Sequence, residues 1–320
     1  MLKFVYALVS SEKDCYTEQA LVSMHSLRRH NPTCHITLAT DDDTLESLVG
    51  GRARIKEYVN ELVVVAVPAE FSAKQRSRFV KTSLRRNVRG DFLYIDCDTV
   101  VTGSLAGLES VDCEVAAVYA RHFNFRESGE MHPVLEDYYR KRPVTEEEMY
   151  DVRDFFNGGI ILCKDTEKGC RLFDTWHKFW LESSTKYGYH YDQSDLWRAN
   201  ASLGDVVEAL DGVYNCQTIN IKYAAGYIPQ CKIFHYFSSS SRCFLWLNDP
   251  EVVSDIRNNG ITPEVEQRLA HLISDTLNSY EVIQDEELRI YNSPLVRLAR
   301  KVSKKIPFIN KFIYLFTGWR

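Results

Sequence analysis

Phe92-Leu93-Tyr94-Ile95-Asp96-Cys97-Asp98-Thr99-Val100-Val101 decides how this chain is read. Four apolar or aromatic residues lead into two aspartates at i and i+2, and the sequence then turns apolar again. In extended backbone, i and i+2 point the same way, so both carboxylates can face one cation. Two acids at the end of a buried strand repel each other and are poorly solvated, so a positive partner is expected beside them. A hard divalent ion supplies one; a plain turn with two solvated aspartates is the other reading. The apolar runs on both sides favour the ion. A second acidic triplet, Asp41-Asp42-Asp43, is followed by Thr44-Leu45-Glu46 and reads as a loop that caps a helix.

Outward from residue 92, apolar runs alternate with helical patterns. Strands are expected at 4–9, 35–39, 63–67, 92–95 and 115–119, and helices at 12–30 and 72–86. Such alternation points to parallel strands joined by crossover helices. Residues 121–155 are charged and aromatic, with Pro133 and Pro143, and suit a helical insertion over a site. Asn157-Gly158-Gly159 opens a strand at 160–163, and 166–181 forms an amphipathic helix carrying Phe173, Trp176 and Trp180. Late strands are expected at 206–210 and 232–237. The pattern turns helical after Pro250, with Thr262-Pro263-Glu264 as cap and first turn.

A chain of 320 residues holds one large α/β domain or two small ones, and a core of that size needs no disulfides. Nine cysteines, an odd number with no C-x-x-C pair, read as reduced thiols and argue against a zinc knuckle. Residues 4–9 read as a buried strand rather than a secretory signal, and no run reaches the roughly 20 apolar residues of a membrane-spanning helix. The net charge is −5, but residues 293–320 carry seven basic residues and no acid, so the body is more acidic than the whole. Basic, aliphatic and aromatic residues alternate there from Leu295 to Trp319, which reads as an interfacial anchor on an anionic membrane. A docked terminal helix with a solvated basic face is the other reading. Nucleic acid is disfavoured by the acidic body. The expected location is cytoplasmic, peripheral at the inner face of the membrane.

Further segments stand in order around the aspartates. Ser77-Arg78-Phe79 lies in a basic helix before them, with Lys74 and Lys81 on the same face as Arg78. Phe156-Asn157-Gly158-Gly159-Ile160, Asp192-Gln193-Ser194-Asp195-Leu196 and His235-Tyr236-Phe237 come after them. With the D-x-D strand, Thr99-Val100-Val101 and Gly103-Ser104-Leu105, this order resembles glycosyltransferase family 8. That family comprises retaining nucleotide-sugar enzymes of the GT-A fold, including glycogenin and bacterial lipopolysaccharide galactosyl- and glucosyltransferases. The resemblance spans about residues 1–245.

It implies an α/β fold with one Rossmann-like central sheet, mixed or parallel, flanked by helices and followed by a C-terminal helical extension. The expected domains are a catalytic domain at 1–250, a helical region at 251–292 and the membrane-associating tail at 293–320. By the same resemblance, Asp96, Asp98 and His235 bind Mn²⁺ or Mg²⁺, with Asp96 and Cys97 beside the ribose. Ala7, Leu8, Val9 and Tyr16 cradle uracil and ribose; Tyr16 could stack on the base or be a core aromatic. Arg78 reaches the diphosphate or donor sugar, a task that suits a forked guanidinium. Asn157, Asp192 and Gln193 hold the donor's hydroxyls and line the anomeric carbon as the catalytic candidates, while Gly158 and Gly159 allow close backbone approach. One departure stands out: Ser238-Ser239-Ser240-Ser241-Arg242 replaces the family's glycine and lysine after the histidine, with Arg242 as a substitute clamp one residue late.

The function implied is metal-dependent, retaining transfer of a hexose, glucose or galactose, from a UDP-sugar to a glycan or lipid-linked acceptor in surface polysaccharide or lipopolysaccharide synthesis. A catalytically silent sugar-nucleotide or polysaccharide-binding protein is the alternative. A nucleotidyltransferase would need a glycine-rich phosphate loop, and Val9-Ser10-Ser11-Glu12-Lys13 has no glycine.

Overall fold

The computed structural model describes residues 2–129, 132–142, 153–218, 224–237, 246–278 and 293–295. Met1–Ile273 form one compact unit and Ser274–Arg320 a second. The strands are β1 (Lys3–Leu8), β2 (His35–Thr40), β3 (Glu61–Val64), β4 (Phe92–Ile95), β5 (Thr99–Val101), β6 (Val115–Tyr119), β7 (Phe156–Cys163), β8 (Val207–Ala209), β9 (Cys216–Gln217) and β10 (Ile233–His235). The helices used below are α1 (Tyr16–His30), α2 (Asp42–Ser47), α3 (Ala73–Thr82), α4 (Leu84–Asn87), α5 (Phe125–Ser128), α6 (Pro133–Lys141), α7 (Glu167–Tyr187), α8 (Gln193–Ser202), α9 (Pro250–Asn259) and α10 (Pro263–Asn278).

Seven strands form the main sheet in the order β3-β2-β1-β4-β7-β6-β8. β1 runs parallel to both β2 and β4, and β2 runs parallel to β3. β7 is antiparallel to both its neighbours, so the sheet is mixed. Its central strands are apolar on both faces because helices cover both, as in a doubly wound α/β core. Trp176 and Trp180 of α7 are fully buried. The strand order reverses between β1 and β4, and ligands of open α/β sheets bind in the crevice beyond the carboxyl ends of strands at such a point.

After Asp98 the chain leaves the main sheet. β5 joins a small second sheet of order β5-β10-β9, a layer that the pattern of apolar runs does not separate. β7 starts at Phe156, so Asn157, Gly158 and Gly159 lie within a strand rather than in a turn ahead of one. α1 starts at Tyr16 because Asp14 accepts from the backbone of Ser11 and Tyr16 and holds residues 11–15 as a loop. The basic helix expected at 72–86 breaks at Ser83 into α3 and α4; α3 opens with a capping box between Ser72 and Gln75. In the region 121–155 the described residues include α5 and α6, in keeping with a helical insertion.

Candidate active site

A cleft of about 600 Å³ opens beyond the carboxyl ends of β1 and β4. The end of β1 lines it with Ala7, Leu8 and Val9, and the loop into α1 adds Ser10, Ser11, Asp14 and Tyr16. Across from these stand Lys74 and Arg78 of α3, with Asp96, Cys97 and Asp98 between. Tyr16 is 41% exposed at the rim, which removes the reading of it as a core aromatic.

The D-x-D turn is held from several directions. The Asp96 backbone N–H donates to the Gly159 carbonyl at 2.8 Å, which continues the β4–β7 ladder by one step. Thr99 Oγ1 donates back to the Asp96 carbonyl at 2.8 Å and also meets Ser23 Oγ at 2.8 Å. The alternation expected of extended chain sends Cys97 the other way: its thiol points to the Ala7 carbonyl at 3.6 Å and ties the turn to β1. Burial, then the neighbouring Asp96 and Asp98, push that thiol well above its ordinary range, so it is a packing group and not a thiolate.

His235 reaches the turn through strand pairing. β10 runs antiparallel to β5 with His235 opposite Thr99, one residue beyond Asp98. This register puts His235 Nε2 at 3.3 Å from Asp98 Oδ1 and 4.0 Å from Asp96 Oδ2. One ligand atom from each of Asp96, Asp98 and His235 lies within 4.8 Å of the others. The imidazole is 1% exposed and stacks on Phe237 at a centroid distance of 4.0 Å. Its other nitrogen, Nδ1, meets Asn215 Oδ1 at 3.0 Å. The Asn215 amide is itself oriented, because its Nδ2 donates to Asn157 Oδ1 at 2.9 Å. Asn215 therefore presents an oxygen, which takes the proton on Nδ1 and leaves the Nε2 lone pair facing the two carboxylates. That buried Nε2 has no hydrogen-bond partner. Two carboxylates and an aimed imidazole lone pair form a donor set that fits a divalent ion, with the nitrogen leaning mildly toward manganese.

Asp192 sits behind the cleft at 6% exposure. The Trp176 indole N–H donates to its carbonyl at 2.8 Å, so α7 fixes its backbone. Arg78 Nε lies 3.0 Å from Asp192 Oδ1, and Lys81 Nζ lies 3.1 Å from Oδ2. Lys81 also reaches Asp96 Oδ1 at 3.4 Å, so one ammonium bridges the two acids. Burial alone would raise the Asp192 pKa; Lys81 and then Arg78 outweigh it and hold the carboxylate below its ordinary range. Arg78 is pushed the other way: burial works against its charge, but Asp192 and Asp96 keep it cationic. Asn157 Nδ2 approaches Gln193 Oε1 at 3.5 Å, and Asn157 Oδ1 accepts from the Gly159 N–H at 2.8 Å.

Asn157, Asp192, Gln193 and His235 thus form a layer behind the cleft that meets it at the D-x-D turn. Arg242 lies outside the described residues. Two parts of this layer carry no sequence signal of their role. Asn215 belongs to no motif; only the strand pairing reveals it. Lys81 is legible as a neighbour of Arg78 on one helical face, but its burial and its two carboxylate partners are not. Lys74 is exposed, with its ammonium over the Tyr191 ring at 3.7 Å. The two glycines also differ. A Cβ on Gly159 would lie 2.4 Å from His235 Cε1 and 2.8 Å from Asp96 Oδ2, whereas one on Gly158 would meet nothing nearer than 3.5 Å. Gly159 is needed for the close approach of histidine and aspartate.

Residues 8–240 match the sequence profile described as glycosyl transferase family 8. Among curated proteins, glycosyltransferase GlyA of Streptococcus pneumoniae serotype 4 (strain ATCC BAA-334 / TIGR4) is 24% identical over 253 residues, 72% of this chain. The chain spans 31% of the length of that relative. Among solved structures, galactosyltransferase LgtC, crystallised with donor and acceptor sugar analogues, superposes with a TM-score of 0.51 at 15% identity, covering 83% of this chain and all of that one. The bifunctional glycosyltransferase WbbM gives 0.50 at 16%, covering 83% of this chain and 50% of that one. At these identities the structures speak to the fold, which is GT-A; the profile, matched along most of the length, speaks to descent. On that ground the chain belongs to glycosyl transferase family 8.

Proposed function

We propose that this chain is a metal-dependent, retaining hexosyltransferase that moves glucose or galactose from a UDP-sugar to a glycan or lipid-linked acceptor. The observation that carries this reading is the meeting of Asp96 and Asp98, which line the cleft, with His235 Nε2, which has no hydrogen-bond partner. A divalent ion held by these three groups would offset the charge that grows on a departing diphosphate. The remaining work falls to the chain itself. Arg78 lines the cleft as a fixed cation beside Asp96 and suits a diphosphate oxygen. Lys81 holds Asp96 and Asp192 in one arrangement, and that link keeps the acid behind the sugar site coupled to the D-x-D turn. Asp192, kept anionic, favours positive charge developing at an anomeric carbon. Asn157 and Gln193 offer amides to donor hydroxyls. Ala7, Val9 and Tyr16 stand where uracil and ribose would lie, with Cys97 backing that wall.

The test is hydrolysis and transfer with a panel of UDP-hexoses, with and without Mn²⁺. Turnover of UDP-glucose or UDP-galactose that stops on chelation supports the reading; full turnover by Asp98→Ala removes the metal assignment. Product NMR reads the anomer, and a β-linked product from an α-donor contradicts retention. Binding of UDP-sugars with no turnover on any acceptor would favour the silent binding protein.

The place of action belongs to the same proposal: surface polysaccharide or lipopolysaccharide synthesis at the inner face of a membrane, reached through the basic, aromatic residues 293–320. Among the described residues no helix is long and apolar enough to cross a membrane; most of the tail lies outside them. Flotation with anionic liposomes, comparing the full chain with one ending at Asn292, reads this directly, and equal flotation removes the anchor.

A further inference from the structure

The family match ends at residue 240, but the chain then returns to the back of the cleft. α9 packs on the turn formed by Gly50–Glu57 in backbone contact: a Cβ on Gly51 would lie 1.8 Å from the Arg257 carbonyl oxygen. Arg54 Nη1 donates to the Asn258 carbonyl at 2.8 Å and holds the same junction. From α9, Arg257 reaches the loop between β1 and α1. Its Nη1 donates to the Glu12 carbonyl at 3.0 Å and its Nη2 to the Asp14 carbonyl at 2.5 Å. Nε and Nη2 fork onto Glu18 at 2.7 and 3.2 Å. Glu18 is 2% exposed, and its second cation, Arg52, also donates to the hydroxyls of Ser10 and Thr17.

This is the loop that supplies Ser10, Ser11, Asp14 and Tyr16 to the cleft, while Arg257 itself does not line it. The loop has no glycine and no strand or helix ladder to fix its backbone. On one side it closes on itself, with Asp14 accepting from the N–H groups of Ser11 and Tyr16 at 2.8 and 3.1 Å. On the other side, two of its carbonyls end on a single guanidinium. A loop fixed before the ligand arrives spares binding the entropy of ordering it.

We infer that Arg257 is a positioning residue of the donor site, fixing loop 10–16 so that Ser11, Asp14 and Tyr16 meet the nucleotide. Helix α9, outside the family's matched stretch, is thereby a working part of nucleotide recognition. The catalytic unit extends past the border at residue 250 expected from the sequence. This inference rests on the UDP-sugar reading above.

The test is calorimetric titration of UDP, with Mn²⁺ present, into the full chain and its Arg257→Ala, Arg257→Lys and Gly51→Ala variants, alongside donor kinetics. Loss of charge-assisted hydrogen bonds of this kind corresponds to roughly tenfold in an equilibrium constant. Arg257→Ala is expected to weaken UDP by that factor and raise the donor KM in step, with kcat within about twofold. Gly51→Ala keeps every charge but displaces the α9 backbone, and is expected to shift UDP affinity in the same direction. A purely structural role would lower the melting temperature and leave Kd and KM unmoved. Folded Arg257→Ala with wild-type UDP affinity overturns the inference. If Arg257→Ala does not fold, Arg257→Lys decides, because an ammonium keeps the charge beside Glu18 but cannot serve both carbonyls and the carboxylate at once. Wild-type affinity in that variant overturns the inference, and weakened affinity supports it. Wild-type protein that binds no UDP takes down the donor reading and this inference together; wild-type binding unchanged by any variant takes down this inference alone.

Discussion

Two acidic triplets stand at the carboxyl ends of strands in one sheet, and they meet opposite fates. Asp41-Asp42-Asp43 comes after β2 and runs straight into α2. A helical start fans the three side chains apart. Asp41 caps the helix by accepting from the Thr44 N–H at 3.1 Å, and Arg76 forks onto Asp41 at 2.6 Å and Asp43 at 2.5 Å. Burial would raise the Asp41 pKa, but Arg76 and Thr44 prevail and hold it low. Asp96-Cys97-Asp98 comes after β4 and bends into β5 of the second sheet, and both carboxylates come up to His235 Nε2. Its partners are arranged differently, with Lys81 shared between Asp96 and Asp192 and the open nitrogen of His235 facing both aspartates. Composition does not separate the two triplets. The element that each one enters, a helix or a strand, and the side chains packed against it turn one into a cap and gather the other with His235 into a set that could hold a metal ion.

The comparison breaks most visibly in activity. Asp98→Ala is expected to lower kcat/KM at least roughly a hundredfold, the scale of losing a key electrostatic group. Asp43→Ala, whose side chain is largely exposed, should stay within about twofold. Steady-state kinetics on the same UDP-hexose reads both; equal losses would erase the distinction between the triplets. Next come the two glycines. Gly159→Ala is expected to weaken Mn²⁺ binding, followed by electron paramagnetic resonance, by about 10- to 100-fold, because its methyl group displaces His235 and Asp96. Gly158→Ala has room and should leave affinity near wild type; parity between them would mean that the close approach at 159 is irrelevant to the ion.

Smaller effects lie in stability. Asp41→Ala removes a cap and a buried partner of Arg76, and a loss of about 1–2 kcal/mol is expected in urea unfolding, with kcat unchanged. A collapse of catalysis in a folded Asp41→Ala protein would give the first triplet a chemical role. Asp195 supplies the last comparison, a buried carboxylate held mainly by hydroxyls. It accepts from Ser183 at 2.7 Å and Tyr138 at 2.9 Å. Burial raises its pKa to about 7 against the pull of those bonds and of Arg142 and Arg198. The folded-state pKa stands above the ordinary 3.8, so the neutral acid's contribution to stability is complete below that value and is lost as pH rises through about 7. Asp195→Asn keeps an oxygen for both hydroxyls and never ionises. Its melting temperature should fall less than the wild type's between pH 4 and 8, with a gain of about 1 kcal/mol at the upper end; parallel slopes would contradict the assignment.

Much of the frame was legible because it depends on local pattern. β4 and β6 fall at the residues where apolar runs place them, and Trp176 and Trp180 occupy the buried face that helical spacing gives α7. Boundaries moved where a side chain competed with periodicity: Asp14 delays α1 to Tyr16, and β7 begins early enough to take in Asn157. The candidate site was legible in its motif residues and opaque in their supports. Asn215 lies 20 residues from His235 and 58 from Asn157, and no spacing rule joins the three.

The sequence by itself determined the alternation of strands and helices, the family order of motifs and the pairing of Asp96 with Asp98, because each depends on neighbours within a few residues. Tertiary structure decided which triplet meets an imidazole and which nitrogen of His235 stays open. It also made Lys81 a buried bridge and brought Arg257 to a loop more than two hundred residues away. These outcomes depend on strand register and on which helix covers which edge, and such long-range pairings are set by packing of the whole core rather than by any local segment.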